Sequence, residues 1–153
     1  MMVLPAILAA WALGIGAYDL WRQRIPNVVL LLCLVPAVLA LVVNGSGLLQ
    51  VAAGSSVGGL ALALGVLLPG YSTGKMGAGD VKFAACLGLL LGFGRTVEML
   101  LFAGVAMGIL GLLWLKAMAA DKKTRFPAGS AFALAFCAEM LAGPFLPALE
   151  DWP

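Results

Sequence analysis

The chain has 153 residues, of which 63% are hydrophobic and only 10% charged, with a formal charge of +2 and a mean hydropathy of +1.10. A soluble domain carries about a quarter charged residues, so the polar skin needed against water is missing and the chain reads as an integral membrane protein. The absence of histidine excludes Ser-His, Cys-His and His-ligated zinc chemistry, since each requires an imidazole.

Six apolar segments follow one another, at about residues 2–18, 28–43, 48–68, 81–93, 97–115 and 128–147. Irregular backbone cannot face lipid, so each is expected to be helical, giving an all-α, polytopic bundle of about six transmembrane helices. Spans of about 20 residues would take about 120 positions and leave roughly 30 for loops. The whole of 1–153 is therefore expected to be a single integral-membrane domain. The start, Met1-Met2-Val3-Leu4-Pro5, lacks a basic n-region, so the first segment is expected to stay as a helix.

Along the chain, Arg22 and Arg24 follow the first segment, Lys75 and Lys82 flank the start of the fourth, and Lys116, Lys122, Lys123 and Arg125 precede the sixth. Arg95 alone falls in a connection on the other side. The positive-inside rule makes the first set cytoplasmic and both termini external, which in a bacterium means the inner membrane with periplasmic ends. Basic residues scattered over three short loops are a topology signal and predict no nucleic-acid partner. Small residues recur at a spacing of four, as in Gly54 with Gly58, Ser55 with Gly59, Gly88 with Gly92 and Gly104 with Gly108. Such pairs let helix backbones approach closely in lipid.

Cys33, Cys86 and Cys137 stand singly in apolar stretches and read as core residues, with no metal or cofactor implied. Gly70-Tyr71-Ser72-Thr73-Gly74-Lys75-Met76 superficially suggests a phosphate loop. It has three residues between its glycines where four are needed, and methionine in place of the magnesium-binding hydroxyl. Among the acids, Glu150, Asp151, Asp121 and Glu98 are expected to be solvated. Glu139 lies inside the last apolar segment and must face a polar interior, be protonated or mark a shifted span.

Asp19 and Asp80 remain, one closing the first segment and the other opening the fourth, at the same membrane edge. Two aspartates suffice for peptide hydrolysis: an ionised carboxylate takes a proton from water while a protonated one hydrogen-bonds the scissile carbonyl. Glycines before Asp80 allow another chain to approach closely. Asp19 sits at the negative end of its own helix and Asp80 at the positive end of its own, which makes Asp80 the expected base and Asp19 the protonated partner. The same placement also allows a small ion-coupled transporter or channel subunit with carboxylates as cation sites, although such acids belong nearer the midplane.

At these residues the sequence resembles the type IV prepilin peptidases, membrane aspartyl proteases with a G-x-G-D motif. Gly77-Ala78-Gly79-Asp80 followed by Lys82 looks like the second family motif, and Asp19 followed by Arg24-Ile25-Pro26-Asn27 looks like the first. Phe126-Pro127-Ala128-Gly129-Ser130-Ala131-Phe132 is a looser match to the segment opening the last family helix. The resemblance implies catalysis by Asp19 and Asp80, with Gly77, Gly79, Lys82, Arg24, Pro26 and Asn27 supporting the motifs or binding substrate. It also implies removal of the short basic leader of a prepilin or pseudopilin on the cytoplasmic side, after a glycine. The first loop, about residues 19–27, cannot hold the tetracysteine domain of the larger methylating members. The compact form looks most like peptidases serving tight-adherence (Flp) pili. Signal-peptide-peptidases and presenilins share the aspartate pattern but have more helices and deeper aspartates.

Overall fold

In a computed structural model the described residues are 3–22, 25–117 and 128–144, and every named element is a helix: α1 (Val3–Arg22), α2 (Asn27–Asn44), α3 (Ala53–Ser72), α4 (Ala78–Leu91), α5 (Phe93–Ala117) and α6 (Ala128–Ala142). The six apolar segments are thus six helices. Three of them, α1, α2 and α3, are long and apolar enough to cross a membrane. Their large apolar side chains are widely exposed, among them Ile7, Leu32, Val42 and Val57, as are Leu101 and Val105 on α5. Such a surface suits lipid and would be untenable in water.

The short α4 is the axis of the bundle. Its 14 residues span only about 21 Å at 1.5 Å per residue, less than a bilayer core. Every residue from Phe83 to Leu91 is buried, as expected of a helix that is apolar all round. Around it, α3 packs along α4 and α5, α5 along α6, and α6 along α1, while α2 rests on α4. Trp11 ties α1 into this core, with its indole N–H donating to the Val29 carbonyl at 3.1 Å and its ring edge-on to Phe83 at 5.8 Å.

Two of the four small-residue pairs make the closest helix contact. A Cβ on Gly59 would collide with the Gly88 carbonyl oxygen and lie 2.8 Å from the Gly92 carbonyl, and one on Gly88 would lie 2.8 Å from the Gly59 carbonyl carbon. The Ser55–Gly59 face therefore lies directly on the Gly88–Gly92 face. Ser55 Oγ accepts the Phe93 N–H at 3.0 Å across this seam. Gly54, Gly104 and Gly108 have open space where a Cβ would go, so those positions play no part in packing here. Gly92, with φ of +80°, turns the chain from α4 into α5 in one residue, a conformation that side chains resist.

Two helix starts differ most from expectation. The third helix begins at Ala53, five residues later than its apolar segment, because Gly45 caps α2 in the left-handed conformation and residues 46–52 form a small turn closed by a Ser46–Ala52 bridge. The fifth begins at Phe93, earlier than its apolar segment, because the Gly92 turn leaves no connecting loop.

Replacing Gly88 with valine should lower stability in detergent by about 1–3 kcal/mol, the cost of overpacking a tight contact. The same change at Gly54 should have an effect within about 0.5 kcal/mol, as at an open surface site. Thermal unfolding of the purified variants measures both.

Candidate active site

Asp19 lies in the last turn of α1 and is 3% exposed. Its Oδ2 accepts the Gly129 N–H at 3.1 Å, and the Ser130 backbone also hydrogen-bonds the carboxyl. These donors are the unpaired amides in the first turn of α6, where a helix offers its N–H groups and the positive end of its dipole. A Cβ on Gly129 would lie 2.8 Å from Asp19 Oδ2 and 3.0 Å from Ile25 Cδ1. Only glycine allows this approach. α6 gives Asp19 the positive end that its own helix lacks, so helix dipoles alone do not rank the two acids.

Asp80 is the third residue of α4, and its Oδ2 accepts the Gly77 N–H at 3.3 Å. Each glycine of the Gly77-Ala78-Gly79-Asp80 turn has its own reason to be one. At Gly77 a Cβ would press on Asp80 Oδ2 at 3.0 Å, and at Gly79 it would lie 3.2 Å from Ile25 Cβ, with the Ile25 backbone close behind. Ile25 thus touches both motif glycines, Gly79 beside Asp80 and Gly129 beside Asp19. It is buried at 9% exposure and packs between the start of α4 and the start of α6. Pro26 caps α2 in extended backbone, as its ring and its restriction of Ile25 lead one to expect. Behind it, Lys82 Nζ donates to Asn27 Oδ1 at 3.3 Å, joining the two motifs across 55 residues.

The structure therefore gathers Asp19, Asp80, Gly77, Gly79, Lys82, Pro26 and Asn27 around one end of the bundle, and Arg24 lies outside the described residues. Sequence reasoning passed over Ile25 and Gly129 as site residues. Gly129 lies in the looser Phe126–Phe132 match and Ile25 within the Arg24-Ile25-Pro26-Asn27 motif, and neither side chain carries chemistry that would single it out. The segment Gly70–Met76 is no anion cradle: Lys75 N–H and Met76 N–H both donate to the Gly70 carbonyl, closing the end of α3.

Glu98 requires a correction. It is 2% exposed and not solvated, because α5 starts early and carries Arg95 and Glu98 in its first two turns beside α6. Arg95 is likewise helical, not in a loop. Its guanidinium meets Glu139 Oε2 at 3.4 Å and donates to the Glu139 carbonyl at 2.6 Å. Glu139 is fully buried, and of its possible locations the polar interior is the one found. This cluster joins α5 to α6 near the end of α6 remote from Asp19.

Among the described residues no group of three or more His, Cys, Asp or Glu side chains is arranged to hold a metal ion. All three cysteines are buried and unpaired.

The model of the type IV leader peptidase family matches residues 6–112. The chain belongs to that family. The match takes in both aspartates and the first five helices in whole or in part. No curated protein and no solved structure matches the chain. Membership makes this a membrane-embedded leader peptidase-type protein.

Two outcomes follow from this geometry. Gly129→Val should cut leader processing by about a hundredfold by displacing Asp19, since misplacement of a reacting group by about 1 Å costs that much. Protein accumulation should be retained, and a processing assay with membrane quantification tests both. Arg95→Ala should destabilise the protein by about 3–5 kcal/mol, because it strands a buried acid. Glu139→Gln should be milder, and thermal unfolding ranks the two.

Proposed function

We propose that the protein is an aspartyl endopeptidase that removes the cytoplasmic leader of a type IV prepilin or pseudopilin, with Asp19 and Asp80 as its catalytic pair. The observation that carries this reading is that Ile25, within the first motif, packs close to Gly79, which precedes Asp80, and to Gly129, whose N–H bonds Asp19. Residues far apart in the chain thus meet at one end of the bundle, through Ile25 and through the Gly129–Asp19 and Lys82–Asn27 hydrogen bonds.

In the proposed reaction one aspartate, ionised, takes a proton from water as the oxygen attacks the scissile carbonyl carbon. The other, protonated, hydrogen-bonds the carbonyl oxygen as it gains charge. Collapse of the tetrahedral intermediate breaks the C–N bond, and the proton taken from water passes to the departing amine. Backbone N–H groups hold both carboxylates in place, from Gly129 to Asp19 and from Gly77 to Asp80. Preorganised donors of this kind cost no rearrangement as charge develops. The turn at Gly77 and Gly79 offers a low profile over which an extended substrate strand can lie.

Among the described residues Arg22, Lys75 and Lys82 lie at this end, which supports a cytoplasmic site and external termini in the bacterial inner membrane. The compact first loop supports a peptidase without N-methylation, of the kind that serves Flp pili.

Asp19→Asn and Asp80→Asn should each abolish leader removal from a co-expressed prepilin while leaving the amount of membrane-inserted protein unchanged. A gel shift of the pilin reads the first effect and immunoblotting of membranes the second. Cleavage by either single variant would exclude the pair. A cysteine at exposed Ser72 should be shielded from an impermeant thiol reagent in intact cells, and one at Asn44 should be labelled. The reverse pattern would place the aspartates on the wrong side for a cytoplasmic leader.

A further inference from the structure

The ring of helices around α4 is open between α2 and α3, where a groove of about 450 Å³ runs down the bundle. Its lining follows helical spacing on all three sides. Asn27, Leu30, Leu31 and Leu34 come from α2, Leu60 and Leu64 from α3, and Lys82, Ala85 and Cys86 from α4. These are i, i+3, i+4 and i+7 positions, so each wall is one continuous helix face. The only polar residues, Asn27 and Lys82, lie at the head of the groove, where Lys82 stands two residues from Asp80 and Asn27 two residues from Ile25. Below them the walls are apolar.

We infer that this groove receives the apolar segment of the substrate that follows the scissile bond, taken up as a helix with one face sunk between α2 and α3. The inference rests on the leader-peptidase reading above. Three features support this occupant. The first is continuity, because the head of the groove and Asp80 share the first turns of α4. A second is size: two helical turns about 11 Å across and 10 Å long occupy roughly 1000 Å³, so the groove matches one buried face of a helix.

The third feature is the order of charge. A substrate strand crossing the site meets two carboxylates, then the exposed ammonium of Lys82, then apolar walls. This complements a peptide that is basic, then cut, then apolar. The basic leader is drawn to the aspartate side and repelled from Lys82, which sets the direction in which the chain is threaded. The ammonium faces backbone carbonyls left unpaired where the substrate helix begins to unwind toward the cut. A second, smaller groove of about 360 Å³ lies between α1 and α2, lined by residues that include Tyr18 and Val29. Among the described residues no cation lines it, and it supplies the control.

The test uses the full-length protein in lipid nanodiscs of phosphatidylethanolamine and phosphatidylglycerol, with a prepilin-type substrate carrying a basic leader, a glycine and a 20-residue apolar segment. A benzophenone amino acid is placed at Leu31 or Leu64 in the Asp19→Asn background, which holds substrate uncut. The inference expects cross-links to the first two turns of the apolar segment. It also expects Leu31→Trp and Leu64→Trp, with both aspartates intact, to raise KM about tenfold while kcat stays within about twofold, the signature of lost uniform binding. Leu134→Trp, on an exposed lipid-side position of α6, should change neither.

Cross-links only to lipid, or cross-links to substrate from Val29 and not from Leu31 or Leu64, would overturn the inference. So would unchanged KM in both tryptophan variants. In each of these cases the wild type still cleaves, so the leader-peptidase reading survives. Failure of the wild-type protein to cleave any leader-bearing substrate would overturn that reading and the groove assignment with it.

Discussion

Everything in this bundle depends on the contact between α3 and α4, where the backbone at Gly59 meets the backbone at Gly88 with no side chain between. In lipid no hydrophobic force drives helices together, so close packing of small residues must supply the attraction. That contact lets a 14-residue helix, too short to cross a bilayer alone, stand at the centre of the molecule. Its opposite end is set by Gly92, which returns the chain at once into α5. With α4 fixed in depth by these two glycines, its first turn is fixed as well, and Asp80 lies in that first turn.

The site then uses helix ends in place of a scaffold of side chains. The first turns of α4 and α6 both present amides that no helical carbonyl satisfies, and each pairs with an aspartate. Asp80 folds back on its own helix through Gly77, whereas Asp19 is reached from the other end of the chain by Gly129. An apolar residue, Ile25, packs between these two arrangements. The proposed acid–base pair thus draws on polar backbone in a chain with few polar side chains to spare. Lys82 and Asn27 extend the polar patch by one more contact, and beyond them the surface becomes apolar.

Polar chemistry is segregated along the bundle. Arg95, Glu98 and Glu139 cluster between α5 and α6, away from the motif aspartates, with α4 packed against both of those helices. An arginine bonded both to a buried carboxylate and to the carbonyl of the same residue ties α6 to α5 at one end, while Gly129 and Asp19 tie it to α1 at the other. The position of the α6 N-terminus, on which Asp19 relies, is thereby constrained from both ends of the helix. This gives the cluster a structural role that does not require contact with substrate.

Much was legible from residue order alone. Apolar length and the near absence of charge determined six helices, and the paired motifs Asp19 to Asn27 and Gly77 to Lys82 marked the family to which the chain belongs. Those features are local in the sequence. Contacts between distant segments were not. Four small-residue pairs look alike in sequence, yet only Ser55–Gly59 and Gly88–Gly92 meet, because a spacing of four marks a face without naming its partner. Glu98 reads as a surface acid until α5 is seen to begin at Phe93 and turn it toward α6. Gly129 and Ile25 carry no chemistry of their own. Their importance arises from backbone proximity across 110 residues in one case and from a position between two helix starts in the other, which only the folded chain decides.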